Sequence, residues 1–310
     1  MSNKIALIDC GTNTFHLLIA EVSGGQVNIL YRSKEVARIG AGGINDNTIL
    51  PDAKERALAV LRKFRKEIDR FEVEKIRSFA TSAFRNAKNG EALKDQINMV
   101  LGINLNIISG DEEAVYIYKG VNYALKSLDN TTLVMDIGGG SVEFIIGKQD
   151  TILWKRSFEI GGQRMLEKYH HSDPMSSTEI AQLEYYLSQE LPELFRAIDT
   201  HQPKVLAGAS GTFDTLSDIY CAQKNIEIQD GLPERPFDQN FYPQIHEQLI
   251  LKNREARLQI PGMISMRVDM IVVASRLINF ILKRYSFQDI RVSTYSLKEG
   301  VLSELIISDL

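Results

Sequence analysis

The chain has 310 residues, 44% of them hydrophobic and 25% charged, which is the composition of an ordinary soluble globular protein. This length predicts two domains, and the composition excludes a disordered chain, a collagen-like repeat and a disulfide scaffold, since Cys10 and Cys221 are the only cysteines. The 36 basic and 40 acidic residues give a net charge of −4. That charge argues against nucleic acid as a partner, because broad nucleic-acid binding needs a strongly basic face.

The first part of the sequence alternates predicted strands and helices. A buried strand is predicted at residues 5–9, where a continuous apolar run (IALID) ends at a polar turn, and a strand meander follows toward a Gly-rich bend at residues 40–43. From Pro51 to Phe71, apolar residues recur every three or four positions, which predicts an amphipathic helix. The next predicted elements are a strand at 75–81, a helix at 89–102, a strand at 104–109 and a helix at 110–125.

The strand-and-turn pattern then begins again. Residues 132–147 (TLVMDIGGGSVEFIIG) align with residues 5–20 (IALIDCGTNTFHLLIA), and the alignment places Asp136 on Asp9. In both segments an apolar strand leads to Asp-x-Gly, then to small or hydroxyl residues, then to a second apolar strand. Internal similarity of this kind predicts a duplicated unit.

Two such units predict an α/β protein with domains at residues 1–125 and 126–296 and a ligand cleft between them. The most apolar late segment, residues 270–282, is interrupted by Arg276 and Asn279 and therefore predicts a core helix rather than a membrane span. The N-terminal apolar run is too short for a signal peptide. We therefore expect a cytoplasmic protein without a membrane partner.

The two Asp-x-Gly turns are candidate phosphate and metal sites. A strand that ends in Asp and turns through Gly brings a carboxylate, which suits a divalent cation, beside backbone N–H groups, which suit phosphate oxygens. The candidate phosphate-binding residues are Gly11, Thr12, Asn13 and Thr14 in the first turn and Gly138, Gly139, Gly140 and Ser141 in the second. Each turn alone could be a simple β-turn, but the matched pair favours phosphate loops.

A third loop, GASGT, lies between a predicted strand at residues 204–207 and a predicted helix. Backbone amides at a helix N-terminus form a natural anion site. The candidate residues are Gly208, Ser210, Gly211 and Thr212. A plain strand–helix connection is the alternative.

Charged residues near these loops could complete a site. Glu112 and Glu113 begin the helix at residues 110–125, where acidic residues commonly offset the macrodipole, and adjacent helical positions allow only one of them to face a cleft. Arg85 and Arg267 could contact an anion or lie on the surface. The sequence has no GxSxG, HExxH or Walker A lysine motif, so the predicted chemistry is that of a cleft that binds phosphate and a divalent metal.

Several segments, in the same order and over nearly the whole chain, resemble the exopolyphosphatase/guanosine pentaphosphatase family. They are IALIDCGTNTFHLLIAEV, FATSAFRNA, IISGDEEAVYIYKGV, LVMDIGGGSVEF, LAGASGTFDTL, IPGMISMRVDMI and YSLKEGVL. The resemblance implies two actin-like (ribonuclease H-like) domains of the actin–hexokinase–Hsp70 superfamily. It also implies that a C-terminal helix, residues 297–310, packs back on the first domain.

The resemblance further implies metal-dependent hydrolysis of a terminal phosphoryl group from polyphosphate or from a guanosine penta- or tetraphosphate such as pppGpp. Glu113 matches the catalytic base, Arg85 a phosphate-contacting arginine and Arg267 a further one. The three loops match the family's phosphate-binding loops. The acidic residues assigned to Mg²⁺ or Mn²⁺ are Asp9, Asp136 and Glu143, and Asp136 and Glu143 also help to orient the water.

Two departures from the family pattern affect these expectations. Thr12 and Thr14 stand where serine is usual, which keeps the hydroxyl groups. Longer members continue into a helical region resembling HD-type hydrolases, so we expect weaker processivity here on long polyphosphate. Two alternative functions are a regulatory protein that binds (p)ppGpp or polyphosphate without hydrolysis and a superfamily phosphotransferase. The resemblance makes a homodimer a candidate assembly.

Overall fold

The computed structural model describes residues 3–23, 26–126, 128–229 and 231–308. The first sheet has the strand order β3-β2-β1-β4-β5. Its strands are β1 (Asn3–Cys10), β2 (Thr14–Ser23), β3 (Gln26–Val36), β4 (Lys75–Ala80) and β5 (Leu105–Ile107). The helices of this half are α1 (Pro51–Arg70), α2 (Ser82–Asn86), α3 (Gly90–Leu101) and α4 (Gly110–Ala124).

The second sheet has the order β10-β11-β9-β6-β7-β8. Its strands are β6 (Thr132–Ile137), β7 (Val142–Lys148), β8 (Thr151–Phe158), β9 (Val205–Ala209), β10 (Glu234–Arg235) and β11 (Asp289–Ser293). The remaining helices are α5 (Gly162–Tyr169), α6 (Ser177–Glu190), α7 (Pro192–His201), α8 (Ser210–Lys224), α9 (Tyr242–Leu251), α10 (Arg254–Leu258), α11 (Met270–Leu282) and α12 (Leu297–Ser308), with a 3₁₀ turn at Gln239–Phe241.

The two sheets repeat one topology. In the first, β1 pairs antiparallel with β2 and parallel with β4, and β2 pairs antiparallel with β3. In the second, β6 pairs antiparallel with β7 and parallel with β9, and β7 pairs antiparallel with β8. The predicted α/β fold of two repeated units is therefore confirmed.

Apolar side chains form a core on each outer sheet face and a third core between the sheets. On α1, Leu58, Leu61, Phe64 and Ile68 lie on one stripe that packs against the first sheet, as the three- and four-residue spacing predicts. The central core combines residues of β1, β6 and β9 with residues of α4 and α12. Because this central core joins the two units, the strand ends that carry the Asp-x-Gly turns are held close to each other.

Helix α12 contacts α4 and β1, so the C-terminal segment lies on the first unit. Residues 309 and 310 of the segment predicted to pack there lie outside the described residues, and the boundaries at 125/126 and 296/297 remain predictions. Across the described ranges, no helix is both long and apolar enough to cross a membrane.

Candidate functional site

A cavity of about 130 Å³ lies between the two units, at the ends of β1, β6, β9 and β11. Most of the residues predicted from the sequence line it. They are Asp9, Gly11, Thr12, Asn13, Thr14, Glu113, Asp136, Gly138, Gly139, Gly140, Ser141, Glu143, Ser210, Gly211 and Arg267. The cavity also has lining residues that the sequence did not indicate, among them His16, Lys34, Ser82, Ser296 and Lys298.

The two Asp-x-Gly turns have the same local geometry. The Gly11 amide donates to the Thr14 carbonyl at 3.2 Å, and the Gly138 amide donates to the Ser141 carbonyl at 3.0 Å. Each hydrogen bond closes a turn between two antiparallel strands, and each turn carries its loop to the cavity wall. The duplication read from the sequence therefore extends to the backbone hydrogen bonds of the site.

The N-terminus of α5 orients the second turn. The carbonyls of Gly138 and Gly139 accept from the backbone amides of Gly162 and Gln163 at 2.8 Å, and the Gly140 carbonyl accepts from the Gly161 amide at 3.1 Å. In a trans peptide the N–H points opposite to the carbonyl of the preceding residue. The amides of residues 139–141 consequently point away from α5, an arrangement suited to an anion in the cavity.

The third loop contributes only partly to the cavity. Strand β9 continues to Ala209, so Gly208 lies within the sheet, where a Cβ would meet the Phe213 ring at 2.0 Å. Gly208 and Thr212 do not line the cavity, whereas Ser210 and Gly211 do. Ser210 has a φ of 65°, an unusual conformation for serine, and its hydroxyl donates to Asp136 at 2.8 Å.

Two carboxylates of the second unit, those of Asp136 and Glu143, line the cavity and are held by serine hydroxyls. Asp136 Oδ2 accepts from Ser210 Oγ and also from Ser296 Oγ, the latter at 2.5 Å. Glu143 Oε1 accepts from Ser157 Oγ at 2.6 Å. These hydroxyl donors orient the carboxylates toward a shared space.

Burial in the cavity shifts the pKa values of these acidic groups. Burial raises the pKa of Asp9 to about 6 and that of Glu113 to about 7, although the charge of Arg85 opposes the shift at Glu113. Burial also raises the pKa of Asp136, against hydrogen bonds from serine hydroxyls. The pKa of Glu143 lies well above its ordinary range because of burial and the charges of Glu113 and Asp136. The cavity therefore favours acidic groups that are either protonated or neutralised by a bound cation.

Glu113 is paired with Arg85. Arg85 Nη1 donates to Glu113 Oε2 at 2.9 Å and to the Ile108 carbonyl at 3.2 Å. Glu113 is 7% exposed and lines the cavity, whereas Arg85 lies behind it. Arg85 is thus placed to act on the carboxylate, as well as being a candidate for contact with phosphate.

Arg267 is the guanidinium at the cavity wall. It lies so close to Gly211 that a Cβ on that glycine would meet Nη2 at 2.0 Å. Within the described residues, Arg267 Nε and Asn13 Oδ1 are buried without a hydrogen-bond partner. Unsatisfied buried polar atoms on the wall of a cavity are typical of a ligand site.

Lys34 and Lys298 add positive charge to the same wall. No local motif marks Lys34, and Lys298 lies in the family-like segment YSLKEGVL without a local pattern of binding chemistry. Lys298 pairs with Glu299 at 3.1 Å, and the charges of Glu299 and Asp9 hold the pKa of Lys298 above its ordinary value although burial acts to lower it. Burial and these cations lower the pKa of His16 well below its usual range. An anion in the cavity would therefore meet cations as well as amide groups.

The donor set of the cavity suits a hard divalent cation. Carboxylate, hydroxyl and water oxygens are the ligands that Mg²⁺ and Mn²⁺ prefer. Among the residues that the structure describes, no three His, Cys, Asp or Glu side chains form a complete metal site. Mg²⁺ typically uses one or two carboxylates and completes its octahedron with water and substrate phosphates, so one or two of Asp9, Asp136 and Glu143 would be enough to hold such an ion.

The fold and the cavity define an α/β protein of two repeated units with an acidic, amide-lined cleft. The model of the Ppx/GppA phosphatase family matches residues 18–308. The chain belongs to the Ppx/GppA phosphatase family.

Individual relatives match over nearly the whole chain. A guanosine-5'-triphosphate,3'-diphosphate pyrophosphatase of Pseudoalteromonas translucida (strain TAC 125) is 30% identical over 98% of this chain, which spans 59% of that relative's length. The crystal structure of an exopolyphosphatase from Cytophaga hutchinsonii ATCC 33406 is 41% identical with a TM-score of 0.95, covering 99% of this chain and 98% of that one. A Ppx/GppA family member from Aquifex aeolicus, 24% identical with a TM-score of 0.80 and coverage of 100% and 99%, shares the fold.

Proposed function

We propose that this protein is a phosphoric anhydride hydrolase that removes the terminal phosphoryl group from polyphosphate or pppGpp with the help of Mg²⁺ or Mn²⁺. The observation that carries the proposal is the placement of Glu113 in one cavity with two amide-lined turns. Membership of the Ppx/GppA family and the names of the two relatives described above support the same substrate class.

Some residues of the cavity bind the phosphate, and others take part in proton transfer. The amides of residues 139–141, the first turn and Arg267 hold the phosphate oxygens, because these N–H groups face charge that is spread over those oxygens in phosphoryl transfer. Glu113, with its pKa raised to about 7, accepts a proton from the attacking water. Arg85 holds the Glu113 carboxylate in place.

Asp136 and Glu143, with Asp9 nearby, would hold the divalent ion. When bound, the ion supplies Lewis-acid stabilisation of charge on the phosphate oxygens. The serine hydroxyls on Asp136 and Glu143 hold those carboxylates in fixed directions, which would keep them in place to bind the ion.

The experiment is a phosphate-release assay with and without Mg²⁺ that compares short polyphosphate, long polyphosphate and pppGpp. We expect magnesium-dependent release from at least one of these substrates. Calorimetric binding without phosphate release would instead indicate a regulatory binder. Uptake of the phosphoryl group by added ADP would indicate a phosphotransferase, and either result would overturn the proposal.

A further inference from the structure

Glu159 follows directly after β8, at the edge of the cavity, and its carboxylate accepts hydrogen bonds from three side chains. Oε1 accepts from Arg85 Nη2 at 3.2 Å. Oε2 accepts from Ser82 Oγ at 2.6 Å and from Arg164 Nη2 at 3.3 Å. Both carboxylate oxygens are therefore engaged, although the side chain is 39% exposed.

These donors come from both sides of the cleft. Ser82 and Arg85 belong to α2 in the first unit, whereas Arg164 belongs to α5 in the second. Arg164 also donates to the Gly140 carbonyl at 2.9 Å and to the Ile44 carbonyl at 2.7 Å. Glu159 thus links the helix that carries Arg85 to the glycine turn on the opposite side.

The orientation of Arg85 at Glu113 depends on this link. The guanidinium is a rigid planar fork, so its two terminal nitrogens cannot be aimed independently. Glu159 receives Nη2, and this fixes the direction in which Nη1 reaches Glu113 Oε2 at 2.9 Å. Glu159 itself does not line the cavity, and among the side chains that it holds, Arg85 is the one that contacts Glu113.

We propose that Glu159 is a positioning residue for the hydrolysis, acting through Arg85 on Glu113. The inference rests on the proposed function. A partly exposed ion pair adds little to stability, typically about 0–1 kcal/mol, so stability alone gives a weak reason for three donors to converge on one carboxylate. Positioning of the reacting groups gives a stronger reason for this convergence, because a displacement of about 1 Å at a reacting group can cost on the order of 100-fold in rate.

The test is a double-mutant cycle that measures kcat and KM for Glu159→Ala, Arg85→Ala and the double variant. We expect E159A to lower kcat by roughly 10- to 100-fold with KM changed by less than about threefold, because the effect falls on the reacting geometry. In the R85A background, E159A should cause no further loss of kcat. E159Q keeps a carbonyl acceptor and the side-chain shape, so it should retain more activity than E159A.

Asp111→Asn is the matched control. Asp111 pairs with Lys155 at 2.6 Å and so joins α4 to the same strand β8, without contact to Arg85. We expect D111N to keep the wild-type kcat.

The two proposals fail in different ways. Absence of phosphate release by the wild-type protein would overturn the proposed function. With an active wild-type protein, an E159A kcat within about twofold of it, or an equal loss in the presence and absence of Arg85, would overturn the positioning role. If E159A does not fold, E159Q takes its place in the double-mutant cycle with R85A, because glutamine preserves the shape of the side chain.

Discussion

Glu112 and Glu113 are adjacent in the chain but occupy opposite environments. Glu112 is exposed and forms a capping box with Ser109, and hydrogen bonds from Ser109 lower its pKa. Glu113 is buried against Arg85, and its pKa is raised. The roughly 100° rotation between successive helical residues produces this separation. The pair thus provides a natural comparison between a helix cap and a candidate base.

Glu113→Gln should lower kcat by about 10²–10⁴ while substrate binding stays nearly unchanged, because the amide keeps the shape but cannot accept the proton. Glu112→Gln is the control, since glutamine also serves in a capping box, and it should stay close to wild type. Phosphate release and calorimetry with the same substrate measure the two effects. A fully active E113Q would show that Glu113 is not the base.

At the residue scale, the sequence reveals site residues that belong to a local motif more readily than site residues that come together from distant segments. Asp9, Asp136 and both turns sit in short segments whose spacing predicts their chemistry. Lys34 lies on an outer strand, where no nearby residue marks it as part of a site. Lys298 lies near the start of the last helix, in the family-like segment YSLKEGVL, whose residues show no local pattern of binding chemistry. Long-range strand and helix packing brings them to the cavity, and single-sequence patterns do not encode that packing.

The crossing of α4 and α12 is the element contact that places the C-terminal part of the site. A Cβ on Gly120 would meet the Ser296 carbonyl oxygen at 2.1 Å, and a Cβ on Gly300 would meet the Tyr116 carbonyl oxygen at 1.8 Å. The two backbones can approach this closely only because both positions are glycine. Ser296, which donates to Asp136, and Lys298 precede Gly300 in the same segment.

Gly300→Ala should therefore destabilise the protein by about 1–3 kcal/mol, the usual cost of overpacking. The helix-propensity gain of about 1 kcal/mol for alanine offsets only part of this, because the clash is with backbone. Urea unfolding measures the change. Gly162→Ala is the control, since a Cβ there meets nothing nearer than 3.7 Å. Equal stability of the two variants would contradict the role of the crossing.

The spacing of apolar residues along the sequence predicts most helices and strands of this fold, and the exceptions have physical causes. Helix α1 begins at Pro51, where the sequence places it. The segment GASGT predicts Gly208 in a loop, but β9 is buried between β6 and β11 and its ladder continues through that residue. Pairing with neighbouring strands outweighed the local turn preference.

The whole molecule concentrates acidic groups where its two halves meet. Asp9 comes from the first repeat and Asp136 from the second, and Glu113 and Glu143 lie in the same cavity. Duplication therefore explains the paired sheets and two of these carboxylates, since each copy contributes the aspartate of its first strand. The net charge of −4 averages over this cluster and the cations beside it.

This cluster predicts how stability depends on pH. The folded pKa values of Asp9 and Glu113, about 6 and about 7, lie above the unfolded values of 3.8 and 4.5. A carboxyl group with a raised folded pKa binds more protons in the folded state, so its stabilising contribution is complete below the unfolded pKa and is lost as pH rises through the folded pKa. The ligand-free protein should accordingly lose on the order of 3 kcal/mol of unfolding free energy from this cluster between about pH 5 and pH 8.

Urea unfolding of the wild-type protein and of the Asp9→Asn/Glu113→Gln variant at both pH values measures this contribution. The variant cannot ionise at these positions, so its free energy of unfolding should change less with pH, and its advantage over the wild type should grow toward pH 8. Added Mg²⁺ should raise wild-type stability most at pH 8, because the ion binds the ionised carboxylates of the folded state. Parallel pH dependence in the two proteins would mean that these carboxyl groups ionise in the folded protein without cost, and burial in the cavity would then not raise their pKa values.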